Sequence, residues 1–151
     1  MGSPRGERTY VSFEGSTLID WPAYAKARAE LGAGFVRILG YFREDGVKSV
    51  AAIEDAMRAG NAAAMVIPAH TLKGESRQFG AEPLASLAEQ IEMHARDCVE
   101  RRLEPEGCLA DVVELKPLFE HTLALLEREA NPLAERRGAG GFGRKATFGR
   151  A

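Results

Sequence analysis

Two cysteines, Cys98 and Cys108, are all that the chain carries, which is no basis for a disulfide framework. No apolar run approaches the roughly 18 residues of a membrane span, and no secretory pattern opens the sequence. A reducing cytoplasm away from any membrane is therefore the expected setting. Aromatic residues make up only 7% of the chain. No segment alternates apolar and polar residues as a half-buried strand does. There is no Gly-rich nucleotide-binding segment either, so no autokinase activity with ATP alone is expected.

The chain has 151 residues, one domain's worth, with 45% hydrophobic and 28% charged residues, as in an ordinary globular protein. Alanine is abundant, which favours helix. Charge is unevenly spread. From Pro132 to Ala151, Arg136, Arg137, Arg144, Lys145 and Arg150 stand against Glu135, a net of +4. The whole chain is −2, so residues 1–131 carry −6. An acidic body argues against nucleic-acid binding.

Hydrophobic spacing divides the chain into helices. Residues 1–17 lack helical periodicity and read as a loose arm. Asp20 is placed to cap a short helix that has Trp21 and Pro22 in its first turn and ends before Gly32. Phe35, Leu39, Phe42, Val50, Ile53 and Met57 then hold one stripe, with Gly46 on it as a close-packing glycine in one long helix. Ala59-Gly60-Asn61 stops that helix and caps the next. The third helix, about Asn61 to Phe79, buries Met65, Ala69, Leu72, Ser76 and Phe79. Pro68 inside it should kink it near the carbonyl of Ala64. A turn at residues 80–83 leads to a fourth helix with Leu84, Leu87, Ala88, Ile91, Ala95 and Cys98 inward. After a connection from Arg101 to Gly107, a last helix carries Val112, Leu115, Phe119 and Leu126, with a kink expected at Pro117. Asn131-Pro132 ends it, and the Gly/Arg-rich stretch 132–151 reads as a disordered tail. The fold class is all-α: an antiparallel four-helix bundle with a short additional N-terminal helix, spanning 18–131.

One stretch concentrates chemistry: His70-Thr71-Leu72-Lys73-Gly74. At three and four residues' separation, Lys73 and Gly74 share a helix face with His70. A ring nitrogen that is partly neutral near pH 7, a fixed cation and a position with no side chain are what a phosphoryl-accepting histidine needs. A lone histidine is ordinarily structural, but phase argues otherwise here. The apolar stripe centres roughly 140° away from His70, so the ring faces outward among Val66, Lys73, Gly74 and Arg77. An exposed mid-helix glycine costs about 1 kcal/mol relative to alanine, which asks for a reason. The turn near residue 81 sets Glu92 level with His70, where a carboxylate can fix the imidazole tautomer. On spacing alone, Glu92 is equally readable as a solvated helix-face acid.

The pattern His70-Thr71-Leu72-Lys73-Gly74, with Gly80 ten residues on and Ile91-Glu92 beyond, resembles the histidine-containing phosphotransfer (HPt) family of multistep phosphorelays. The resemblance extends over about Ile19 to Ala130. It implies a phosphoryl carrier working between aspartates of response-regulator receiver domains, with a hybrid sensor histidine kinase as a further partner. His70 is then the phosphorylation site, Lys73 steadies the phosphoryl group, and Glu92 orients the ring. Val66, Gly74, Arg77, Gln78 and Arg96 form the expected docking residues, and the docking face is expected on the exposed side of the second and third helices around His70. No cofactor is implied beyond magnesium brought by the receiver, and a monomer is expected. Glu75 departs from the family pattern by placing an acid beside the site, where it should repel phosphate somewhat. Pro68 is unusual so close before the histidine.

Three rivals come from the residues themselves. His94 and Cys98, four apart, with Cys108 and His121 elsewhere, sketch a metal set that no Cys-x-x-Cys supports. A bundle of this kind can also act as an adaptor that binds signalling partners without relaying phosphate. The tail, with Phe142 and Phe148 among its basic residues, has some character of an RNA- or membrane-binding segment.

Overall fold

A computed structural model describes residues 17–130. The expected C-terminal tail, and the expected N-terminal arm except for Thr17, lie outside the described residues. Five α-helices follow in order: α1 (Trp21–Leu31), α2 (Phe35–Arg58), α3 (Ala62–Gln78), α4 (Glu82–Arg101) and α5 (Leu109–Ala130). Short 3-10 turns at Gly32–Gly34 and Glu106–Cys108 precede α2 and α5. Helices α2 to α5 form an antiparallel ring in which α2 packs on α3, α3 on α4, α4 on α5 and α5 back on α2.

The helix starts follow from local chemistry. The Asp20 carboxylate accepts from the Ala23 N–H at 3.1 Å, and the Asn61 side-chain carbonyl accepts from the Ala64 N–H at 3.1 Å. The α3–α4 turn depends on Gly80. Its φ is +79°, and an added Cβ would lie 2.7 Å from the Asp20 carbonyl oxygen. Backbone conformation and close approach both exclude a side chain there. The same glycine's carbonyl accepts from the Asp20 N–H at 2.7 Å, tying α1 to the turn.

The stripes read from the sequence point inward. Phe35, Leu39, Phe42, Val50 and Ile53 of α2 are buried, with Met57 half-buried beside them. Met65, Ala69, Leu72 and Ser76 of α3 and Leu84, Ala88, Ile91 and Ala95 of α4 are fully enclosed. Each large apolar side chain buried this way stabilises the fold by about 1.5–3 kcal/mol. The few aromatics are gathered in one continuous row. Trp21, Tyr24, Phe35, Phe79, Phe42 and Phe119 follow one another with ring centroids 5.1 to 5.8 Å apart. Nothing in the spacing announces this row, because it joins α1, α2, the end of α3 and α5.

Gly46 is buried against the Phe119 ring, which occupies the space a Cβ would need. Both interior prolines leave their helices unbroken: α3 continues through Pro68 and α5 through Pro117. Each removes a single backbone hydrogen bond, and tertiary packing on both sides holds the rest of the helix.

Candidate functional site

His70 sits at the middle of α3, and the α3–α4 pairing brings α4 alongside it. Val66, Lys73 and Arg77, seven and then four residues apart on one α3 edge, face α4. Glu92 and Arg96, four apart on α4, face back. The outcome is a hub centred on the Glu92 carboxylate. Its Oε2 lies 3.0 Å from His70 Nδ1 and 2.9 Å from Arg96 Nη2. Its Oε1 lies 2.9 Å from Lys73 Nζ. The side chain of Glu92 is only 5% exposed, whereas that of His70 is 57% exposed. The carboxylate is therefore a buried group and not a solvated helix-face acid.

Burial works to raise the Glu92 pKa, but the hydrogen bonds from Lys73, Arg96 and His70 outweigh it and bring it down to about 2. Glu92 is thus ionised at neutral pH and only accepts hydrogen bonds. The ring proton of a neutral His70 must then sit on Nδ1, which leaves the lone pair on Nε2 of a largely exposed ring. Glu92 balances one of the two fixed cations, so the hub keeps one net positive charge before any anion arrives.

The expected docking residues behave differently from one another. Gly74 is exposed, and a Cβ there would meet nothing within 4 Å. Among the described residues, no neighbour explains this glycine. Gln78 is exposed and Val66 is half-buried. Arg77 is tied along α4, 2.9 Å from Glu89 and 3.5 Å from Glu82. Arg96 belongs to the hub itself.

Spacing missed an apolar groove of about 570 Å³ between α3 and α4, lined by Ala63, Val66, Ile67, Arg96, Val99 and Glu100. Ile67 is 67% exposed, one turn before His70. Its signal was present as an isoleucine out of phase with the buried stripe. This groove lies on the α3–α4 side of His70, the side to which the ring leans through Glu92.

Two other readings change. Glu75 does not stand beside the imidazole; it points to α2, where its carboxyl bonds to Asp45. The sketched metal set is not assembled. Cys98 is buried with its thiol 3.7 Å from the Glu104 carbonyl oxygen, and Cys108 is buried and free of any disulfide. Among the described residues, no group of three or more His, Cys, Asp or Glu side chains is placed to hold a metal. None of the described helices is long and apolar enough to cross a membrane.

The family model described as Hpt domain matches residues 37–129. That span holds every residue of the hub. Among solved structures, histidine-containing phosphotransfer protein B (HptB) from Pseudomonas aeruginosa PAO1 is similar in fold. The TM-score is 0.69 at 22% identity, over 78% of this chain and 98% of that one. No curated protein matches the chain.

Proposed function

Given that the chain belongs to the Hpt domain family, whose members work in phosphorelays, we propose that it carries a phosphoryl group on His70 Nε2 between aspartates of receiver domains. The observation behind this reading is the Nδ1–Glu92 hydrogen bond at 3.0 Å beneath an exposed ring. It fixes the proton on one nitrogen and leaves the other free as a nucleophile.

The transfer needs no acid or base from this chain. The Nε2 lone pair attacks the phosphorus of an aspartyl phosphate in line. The N–P bond forms as the P–O bond to the aspartate breaks, and that carboxylate leaves with the bonding pair. The ring gains positive charge and keeps its Nδ1 proton, which Glu92 stabilises. Lys73 supplies charge close to the incoming phosphoryl oxygens. One unit charge pair at 4 Å and an effective dielectric of 20 contributes about 4 kcal/mol, and less with solvent nearby. Positioning and charge supply the catalysis, as is general in phosphoryl transfer.

Magnesium belongs to the receiver in this reading. The acid nearest His70 is Glu92, and its oxygens are already taken by three donors. Transfer should therefore stop when EDTA is added, while the thermal midpoint of this protein alone stays unchanged. The groove beside His70, with Ile67 and Val99 exposed in it, supports apolar contact with the receiver inside a polar rim.

The deciding experiment is incubation with a phosphorylated receiver. Wild type is expected to gain acid-labile, base-stable phosphate, and His70→Gln none. Lys73→Ala should slow transfer without abolishing it. Equal labelling of wild type and His70→Gln would sink the assignment. A wild-type protein that binds receivers but never gains label would establish the adaptor reading instead.

A further inference from the structure

Glu75 follows Gly74 in sequence but lies roughly 140° around α3 from His70, counting 100° per residue. That direction faces α2. The two helices run antiparallel about Gly60, which sets residue 45 level with residue 75. There the Glu75 carboxyl makes a side-chain hydrogen bond with Asp45. Among the described residues, no N–H or hydroxyl group donates to the buried Glu75 Oε1.

Among the described residues, no cation forms an ion pair with either carboxyl. On α3, Lys73 and Arg77 are engaged on the opposite edge, with Glu92 and with Glu82 and Glu89. On α2, Glu44 and Lys48 flank Asp45 from exposed positions, and neither forms an ion pair among the described residues. Arg96 of α4 is held by Glu92. From α1, the group that reaches the end of α3 is the Asp20 backbone, at Gly80.

Two ionised carboxylates are acceptors only and repel each other, so a hydrogen bond between them requires a proton. We propose that Asp45 and Glu75 share one proton, that this proton fastens the α2–α3 seam, and that ionisation of both carboxyls loosens it. Burial first, then the hydrogen bond and charge of Asp45, push the Glu75 pKa from 4.5 up to about 7. A folded-state value above the unfolded one means that the fold binds this proton more tightly. The stabilisation is complete below about pH 4.5 and is lost as pH rises through about 7. The device stands whether or not His70 carries phosphate.

The test is a titration of the Glu75 side-chain carboxyl carbon by NMR in the full chain, from pH 4 to 9. Wild type should show a midpoint near neutrality, and Asp45→Asn should move it down toward the ordinary carboxylate range. The thermal midpoint of wild type should fall between pH 6 and 8, and Glu75→Gln should remove most of that fall. A wild-type midpoint in the ordinary range overturns the proposal. So does a raised midpoint that Asp45→Asn leaves in place, because burial alone would then explain it. If Asp45→Asn does not fold, Asp45→Ser, titrated in the same way, decides between the same two results.

Discussion

The Glu92 carboxylate accepts from His70, Lys73 and Arg96 at once, and His70 and Arg96 share a single oxygen, Oε2. Removing its charge while keeping its shape should unsettle all three partners. Glu92→Gln offers His70 either an oxygen or an amide nitrogen, so the Nδ1–H tautomer is no longer enforced. Transfer from a phosphorylated receiver is expected to slow by about tenfold or more, the scale of losing a group that orients a reacting ring. Nitrogen NMR of His70 should show a mixed tautomer population in the same variant. The carboxylate also has a signature in acid. Its folded-state pKa of about 2 lies below the ordinary 4.5. Its contribution to stability is therefore present above about pH 4.5 and lost as pH falls toward 2. Thermal unfolding between pH 5 and 2 should be less steep in pH for Glu92→Gln than for wild type.

Within the helices, two glycines of identical composition play opposite parts. Gly46 of α2 faces the Phe119 ring with no room for a methyl group. Gly46→Ala should destabilise by about 1–3 kcal/mol, the usual cost of overpacking. Gly74 of α3 has open space around its missing side chain. Gly74→Ala should stabilise the isolated protein by up to about 1 kcal/mol through helix propensity. It should also weaken receiver binding, by putting a methyl group beside the exposed ring. Chemical denaturation of both variants, with receiver titrations of the second, checks the pair. A Gly74→Ala protein that is more stable and binds the receiver unchanged would remove the docking argument for this glycine.

Across the whole molecule, α1 holds the chain ends of the bundle together. The Arg28 guanidinium donates to the carbonyls of Glu129 at 3.2 Å and Ala130 at 3.3 Å, at the C-terminus of α5. It also lies 5.6 Å from the Phe35 ring centroid. The Tyr24 hydroxyl donates to the Leu126 carbonyl at 3.4 Å. A cation on the last carbonyls of a helix contributes about 0.3–1 kcal/mol. Arg28→Ala should lower the thermal midpoint by a few degrees. Transfer through His70, midway along α3, should keep its wild-type rate.

Helix number, helix boundaries and the outward phase of His70 were legible in the sequence because they depend on local signals: caps at Asp20 and Asn61, a stop at Gly60, and apolar residues recurring every three or four positions. Glu92 was reachable from the length of the turn alone, since an antiparallel hairpin fixes which residues lie level. What packing decided was the surroundings of those residues. The depth of the Glu92 carboxylate, the pairing of Glu75 with Asp45 and the exposed groove at Ile67 and Val99 all depend on which edge of α3 meets which neighbour. Periodicity gives the direction of a side chain around its own helix and contains no information on what another helix brings to meet it.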